Sequence, residues 1–257
     1  MNNIENARIL SGSSHRNLAK NISNIANIPI IDSICDKFAN GEIRVKINNN
    51  IRNKDILLIQ TGSNPDPKFS INDYLMETLI LIDACKRSAV NSITLIMPSY
   101  PYSRQDKKDE PRAAISSKLV ANMITMAGID RLIVMDLHAA QIQGFFDIPV
   151  DNLYFVNLVA KHIESTIFNN INLEDRQQNF IVVSPDAGAI KRNIRLSSML
   201  QLSMAIMHKQ RDYAKKNVVE KSILICEDNN IRGKTAIICD DMCDTGGSLI
   251  SAVNSLI

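Results

Sequence analysis

The chain has 257 residues, of which 45% are apolar and 22% charged, and its formal net charge is +2. That length holds one large or two medium domains with their own cores, and the composition excludes a disordered or fibrous chain. So small a charge gives no long-range field for a nucleic-acid or membrane surface, so the basic residues that matter act locally.

In chain order, short β-branched runs fall at residues 7–11, 55–61, 92–98, 131–137, 180–184, 203–208, 222–226 and 235–240. Stretches with helical spacing lie between several of them, at 71–89, 115–127 and 157–168. Apolar strands alternating with helices predict a parallel sheet covered on both faces, so the fold class is α/β. The run IPVDN at 148–152 reads as a hinge, and the order strand, loop, helix restarts at Phe180. Two units are therefore expected, 1–150 and 151–257. The first eight residues are polar and no apolar run approaches membrane-spanning length, so a cytoplasmic location is expected. The five cysteines (35, 85, 226, 239 and 243) form no CxxC pair, which points to reduced thiols rather than zinc ligands.

Polar clusters recur at the C-terminal ends of these strands, where open α/β sheets place ligands. Phe38-Ala39-Asn40-Gly41-Glu42 is a turn with an aromatic that could stack on a base, and taken alone is a hairpin turn. Arg104-Gln105-Asp106-Lys107-Lys108-Asp109 suits either a solvated loop or a triphosphate. In MDLHAAQIQG, Asp136 and His138 leave on one side of a strand because side chains alternate. In SPDAGAIKR, Asp186 suits a hard cation and Lys191 and Arg192 suit phosphate oxygens, although Pro-Asp-x-Gly is also a common turn. His208-Lys209-Gln210-Arg211 runs into a polar segment, 212–217, expected to be a mobile loop. The strongest cluster is TAIICDDMCDTGGS: an apolar strand, Asp240 and Asp241, then Asp244-Thr245-Gly246-Gly247-Ser248 and a helical run from Leu249. Glycines and free N–H groups at a helix start cradle an anion, and carboxylates accept from vicinal hydroxyls. A sugar phosphate satisfies both, with its hydroxyls on Asp240 and Asp241 and its phosphate on 244–248.

Together these motifs resemble the ribose-phosphate pyrophosphokinase family, most specifically in RQDKK, in MDLHAAQIQGFFDIPVDNLY at 135–154 and in DDMCDTGGS. The resemblance implies two phosphoribosyltransferase-like (type I) parallel-sheet domains related by a pseudo-twofold, assembled as hexamers of dimers. It implies that the diphosphoryl group of ATP is transferred to the C1 hydroxyl of ribose 5-phosphate, with Mg²⁺. Phe38, Asn40, Gly41 and Glu42 would hold the adenine of a neighbouring subunit's ATP, and Arg104, Gln105, Asp109 and His138 would contact the nucleotide. His138 and Asp186, with Asp136 nearby, would hold Mg²⁺. Lys209 and Arg211 match the catalytic loop pair, and Asp240, Asp241 and Asp244 to Ser248 match the ribose 5-phosphate loop.

The sequence departs from the family pattern in places. It stops at Ile257, inside the helix after the sugar-phosphate loop, so the second domain is expected to be incomplete, with an exposed edge and apolar surface. Ala189 stands where the family has a second glycine, which is expected to tighten that loop. Glu110, Ala140 and Asn50 stand at positions of the family's regulatory phosphate site, where weak activation by phosphate is expected. Two rivals stay open at this stage. A phosphoribosyltransferase shares DDxxDTGGS but not RQDKK or the 135–154 run, and a non-catalytic synthetase-associated subunit would lack the loop cations.

Overall fold

A strand that is apolar on both faces is stable only where helices cover it on both sides. The computed structural model, which describes residues 4–63, 66, 68–211, 219–226 and 231–257, builds two such sheets, one in each of two units, Met1–Leu153 and Tyr154–Ile257.

The first unit runs β1 (Ala7–Ser11), α1 (Arg16–Ala26), β2 (Ile30–Ile31), β3 (Ser33–Lys37), β4 (Ile43–Ile47), β5 (Asp55–Ile59), α2 (Ile71–Arg87), β6 (Ser92–Met97), α3 (Ser116–Ala127), β7 (Arg131–Met135) and β8 (Val150–Leu153). Short 3-10 turns lie at Ile4–Asn6 and Ala140–Phe145. Six strands pair in the order β2-β1-β5-β6-β7-β8, and every pair is parallel. Successive strand residues point to opposite faces, so Ile9 and Ile59 meet Ala19 of α1 while Leu10, Leu58 and Leu95 join the larger core with Leu81, Val120 and Ile124 of α2 and α3. α2 begins with a capping box, in which Ser70 and Asp73 exchange backbone and side-chain hydrogen bonds. Lys37 reaches the same Asp73 carboxylate at 2.8 Å. The segment 148–152, expected as a hinge, instead supplies edge strand β8, because Leu132 N–H bonds the Pro149 carbonyl and Val150 pairs with Leu132. β3 and β4 form a separate antiparallel hairpin that packs Val45 and Ile47 on the large core.

The second unit runs α4 (Val156–Thr166), α5 (Leu173–Asn179), β9 (Phe180–Ser184), α6 (Ile190–Leu200), β10 (Met204–Arg211), β11 (Val219–Cys226), β12 (Thr235–Ile238) and α7 (Gly247–Leu256). Its strands lie in the order β11-β10-β9-β12. Phe168, Val182, Leu196 and Leu200 form the core on one face, and Ile181, Val183, Ala205, Met207 and Ala252 on the other. β12, β9 and β10 are parallel as expected, but β11 runs antiparallel to β10. The connection 212–218 is too short for the crossover that a parallel neighbour needs. Beside Ile181, Val183 and Ala205 lies a groove of about 490 Å³, closed by 231–234 and 255–257. Among the described residues no helix is long and apolar enough to cross a membrane.

Candidate active site

In the first unit, parallel pairing brings the C-terminal ends of β6 and β7 side by side, and with them the loops that follow. Arg104, Gln105 and Asp109 are exposed on the loop after β6, and Lys107 pairs with Asp109 at 3.6 Å. His138 is exposed just past β7. Asp136 takes a left-handed backbone, φ 47°, uncommon for a residue with a side chain and a mark of functional loops. Two bonds from β8 hold that turn: Asp136 N–H donates to the Leu153 carbonyl at 2.8 Å, and Leu137 N–H to Asn152 Oδ1 at 3.1 Å. On the β3–β4 hairpin, Phe38, Asn40, Gly41 and Glu42 are all exposed. The turn is closed by Phe38 N–H to the Glu42 carbonyl (2.8 Å) and Glu42 N–H to Asn40 Oδ1 (3.2 Å).

A largely buried polar network, in which Gln60 and Glu77 are 0% exposed, stands at the ends of β1 and β5 in the same sheet. Glu77 of α2 accepts from Ser13 N–H and Ser13 Oγ, both at 2.6 Å, and from Gln60 Nε2 at 2.9 Å. Gln60 Oε1 accepts from Ser14 Oγ at 2.6 Å. A Cβ at Gly12 would come within 2.3 Å of that amide, so only glycine lets the loop close on it. Burial, and then the Glu77 charge, push the neighbouring Cys35 thiol up to about 12.

In the second unit, the ends of β9 and β12 lie side by side, with Val183 opposite Ile238. The β9 loop carries Asp186, whose Oδ1 accepts from Ala189 N–H at 3.0 Å. Beyond β12, Asp240 is pushed up to about 6, first by burial, then by its contact with Asp241 and the charges of Asp241 and Asp186. Arg192 of α6 sits between the pair, its Nη1 3.7 Å from Asp240 and 3.8 Å from Asp241. Asp244 and Thr245 are exposed, and Gly246 (φ 73°) turns the chain into α7 in a conformation that favours glycine. Gly247 N–H lies 3.4 Å from Thr245 Oγ1. An anion meets unpaired N–H groups at such a helix start.

These loops match known proteins over nearly the whole chain. Residues 7–128 match the family model described as the N-terminal domain of ribose phosphate pyrophosphokinase, and residues 149–257 match the phosphoribosyl transferase domain. Ribose-phosphate pyrophosphokinase A of Dictyostelium discoideum is 46% identical over 250 residues, 97% of this chain and 73% of the relative. Ribose-phosphate pyrophosphokinase 4 of Saccharomyces cerevisiae is 44% identical over 253 residues, covering 98% and 73%. The crystal structure of phosphoribosylpyrophosphate synthetase from Mycobacterium smegmatis superposes with a TM-score of 0.83 at 36% identity, covering 98% of this chain and 76% of that one. The chain belongs to the ribose-phosphate pyrophosphokinase family.

Within each unit of this pyrophosphokinase-family chain, the residues singled out in the sequence gather on the C-terminal edge of their sheet. Arg104, Gln105, Asp109, Asp136 and His138 do so in the first unit, and Asp186, Asp240, Asp241 and Asp244 to Ser248 in the second. Lys209 and Arg211 lie within β10 rather than on a loop, since pairing with β11 extends the strand to Arg211, with a register shift after Gln210. The expected mobile segment 212–217 falls outside the described residues. The helix after the glycine turn starts at Gly247, two residues earlier than expected. Ala189 is accommodated without strain at φ −83°, so no second glycine is required there.

Among the described residues no group of three or more His, Cys, Asp or Glu stands together as a metal cage. The donor chemistry still fits Mg²⁺, which takes one or two carboxylates and fills its octahedron with water and substrate phosphates. Asp186, partly exposed beside the Asp240–Asp241 pair, is a carboxylate of that kind. Sequence reasoning missed the Glu77 network and the tether made by Asn193, described below. The second left a signal, a polar residue on the i, i+3, i+7 apolar stripe formed with Leu196 and Leu200.

Proposed function

We propose that this chain transfers the β,γ-diphosphoryl group of ATP to the C1 hydroxyl of ribose 5-phosphate, giving 5-phosphoribosyl 1-diphosphate and AMP. The observation that carries the reading is the second unit's edge, where Asp240, with Asp241 and Asp186 beside it and Arg192 3.7 Å away, stands next to a glycine turn that opens into α7. Ribose hydroxyls donate to Asp240 and Asp241, and the 5-phosphate sits on Asp244, Thr245, Gly246, Gly247 and Ser248. ATP is held in the first unit by Arg104, Gln105, Asp109 and His138, and Phe38, Asn40, Gly41 and Glu42 serve the adenine of a neighbouring subunit in a homo-oligomer. Mg²⁺ is the metal of this reading, with His138 and Asp136 as the candidate ligands within the first unit and Asp186 as a separate candidate within the second. When bound it neutralises charge on the phosphate oxygens.

In the reaction the C1 oxygen forms a bond to the β-phosphorus while the bond from that phosphorus to the α,β-bridging oxygen breaks, and AMP leaves. The transition-state charge spreads over phosphoryl oxygens, so positioning and cations carry the catalysis. Lys209 and Arg211 supply those cations. A cytoplasmic location suits the reduced cysteines. The test is formation of AMP and 5-phosphoribosyl 1-diphosphate from ATP, Mg²⁺ and ribose 5-phosphate. Lys209→Ala is expected to lower turnover by about 100-fold or more, the scale for losing one transition-state charge contact. Its affinity for ribose 5-phosphate should hold. Near-normal turnover would remove Lys209 from its role, and no AMP from the unaltered chain would remove the reaction.

A further inference from the structure

Strand pairing fixes the spacing of the two ligand loops of the second unit only as far as Val183 and Ile238. The next residues are Ser184, the last of β9, and Cys239, which begins the loop with the Asp240–Asp241 pair, and the β9–β12 ladder does not reach them. A single buried side chain spans that gap. Asn193 of α6 is 0% exposed, and its Nδ2 donates to the Cys239 carbonyl at 2.9 Å and the Ala189 carbonyl at 2.9 Å, with Ser184 Oγ 3.4 Å away. Ser184 Oγ in turn donates to the Asp186 carbonyl at 2.9 Å. One amide thus ties the end of β9, the turn through Ala189 and the residue directly before Asp240.

The packing gives no reason for an amide there. Leu196 and Leu200 continue the same helix face into the core, and Asn193 Oδ1 has no partner among the described residues. A buried acceptor left unpaired is destabilising, so an apolar side chain of the same shape would pack at least as well. What it could not do is hold the Cys239 carbonyl.

We infer that Asn193 is a positioning residue, which keeps the Ser184–Ala189 turn and the Asp240–Asp241 pair at one spacing where the sheet no longer does. The inference rests on the reading of this edge as the ribose 5-phosphate site. It touches no substrate itself and acts through the backbone at Cys239.

The experiment compares the full chain with Asn193→Leu, which matches its shape, and Asn193→Ala. Urea unfolding measures stability, titration measures ribose 5-phosphate affinity, and AMP formation gives kcat and KM. Asn193→Leu removes an unpaired amide oxygen but leaves the Cys239 carbonyl without its donor, so it should stay folded with stability near that of the unaltered chain, yet bind ribose 5-phosphate about tenfold more weakly, the scale of one or two lost hydrogen bonds. KM for ribose 5-phosphate should rise with it. A purely structural residue would show the reverse, lower stability with unchanged affinity in the folded fraction, and that result overturns the inference. Failure of both variants to fold overturns it too, since an apolar side chain must fit there. A chain that binds ribose 5-phosphate without forming AMP refutes the reaction but leaves the affinity comparison decisive for Asn193. A chain that binds none refutes both.

Discussion

Asp240→Asn should make the substrate-free chain more stable relative to the unaltered one as pH rises. The Asp240 carboxyl, 15% exposed, goes from an ordinary value of 3.8 to about 6 in the fold. An acid whose folded value is raised contributes stability that is fully present below 3.8 and lost as pH climbs through about 6. At about 1.4 kcal/mol per pH unit the whole gap is worth ~3 kcal/mol, of which the interval from pH 5 to pH 8 covers roughly half. The pair stands at a loop reached by solvent, with Arg192 3.7 Å away, and screening of that kind brings the figure to ~1 kcal/mol or less. Other carboxylates work in the opposite sense: Asp73, held at about 2 by Lys37 and the Ser70 backbone, gives stability that is lost as pH falls through that value. The difference between variant and unaltered chain cancels them. Urea unfolding of both at pH 5 and pH 8, in chelator and without substrate, should show the variant gaining up to ~1 kcal/mol relative to the unaltered chain at the higher pH. Ribose 5-phosphate should then stabilise the unaltered chain and not the variant. A stability difference that stays flat or shrinks between the two pH values refutes the account of a strained carboxylate cluster.

Two substitutions test the loop geometry more directly. Gly246→Ala forces a side chain to φ 73°, so urea unfolding should show a loss of ~1 kcal/mol, and titration a weaker grip on ribose 5-phosphate. Unchanged affinity would detach the glycine turn from phosphate binding. Glu77→Ala leaves Ser13 and Gln60 without their buried acceptor and should cost ~3 kcal/mol in the same unfolding assay, and a loss below ~1 kcal/mol would show that water replaces the carboxylate.

Most strands of the two sheets were legible as short β-branched runs bounded by polar residues, and Ala7–Ser11 and Phe180–Ser184 match residue for residue, whereas the two-residue β2 is too short to leave a pattern. β8 and β11 were harder to read for different reasons. Val150–Leu153 is half polar and only its pairing with β7 makes it a strand, while β11 read as parallel because its partner's direction depends on loop length rather than composition. The loop from β12 into α7 could be read as an acidic and glycine turn before a helix, since Asp240 to Ser248 are consecutive. Arg192 and Asn193 lie far along the chain from Asp240 and Cys239, and sequence spacing carries no trace of contacts that α6 makes by folding back over β9 and β12.

The two sheets treat their buried polar groups differently, and the contrast bears on where chemistry occurs. At the β1–β5 edge every oxygen of the Glu77 carboxylate meets a donor, so the network fixes a loop and asks nothing of a ligand. At the β9–β12 edge the local rules conflict: Asp240 is half-buried beside like charges, Gly246 is left-handed and an amide oxygen is unpaired. Conflicts of this kind persist in a fold where something outside the chain resolves them. A molecule with vicinal hydroxyls and a phosphate resolves the first two at once, by donating to the carboxylates and by accepting from the N–H groups that the glycine turn exposes at the start of α7. Neither a bare phosphate nor a neutral sugar does both. On the proposed reading the edge would select a sugar phosphate over either half of it, and inorganic phosphate should compete with ribose 5-phosphate only weakly in a titration.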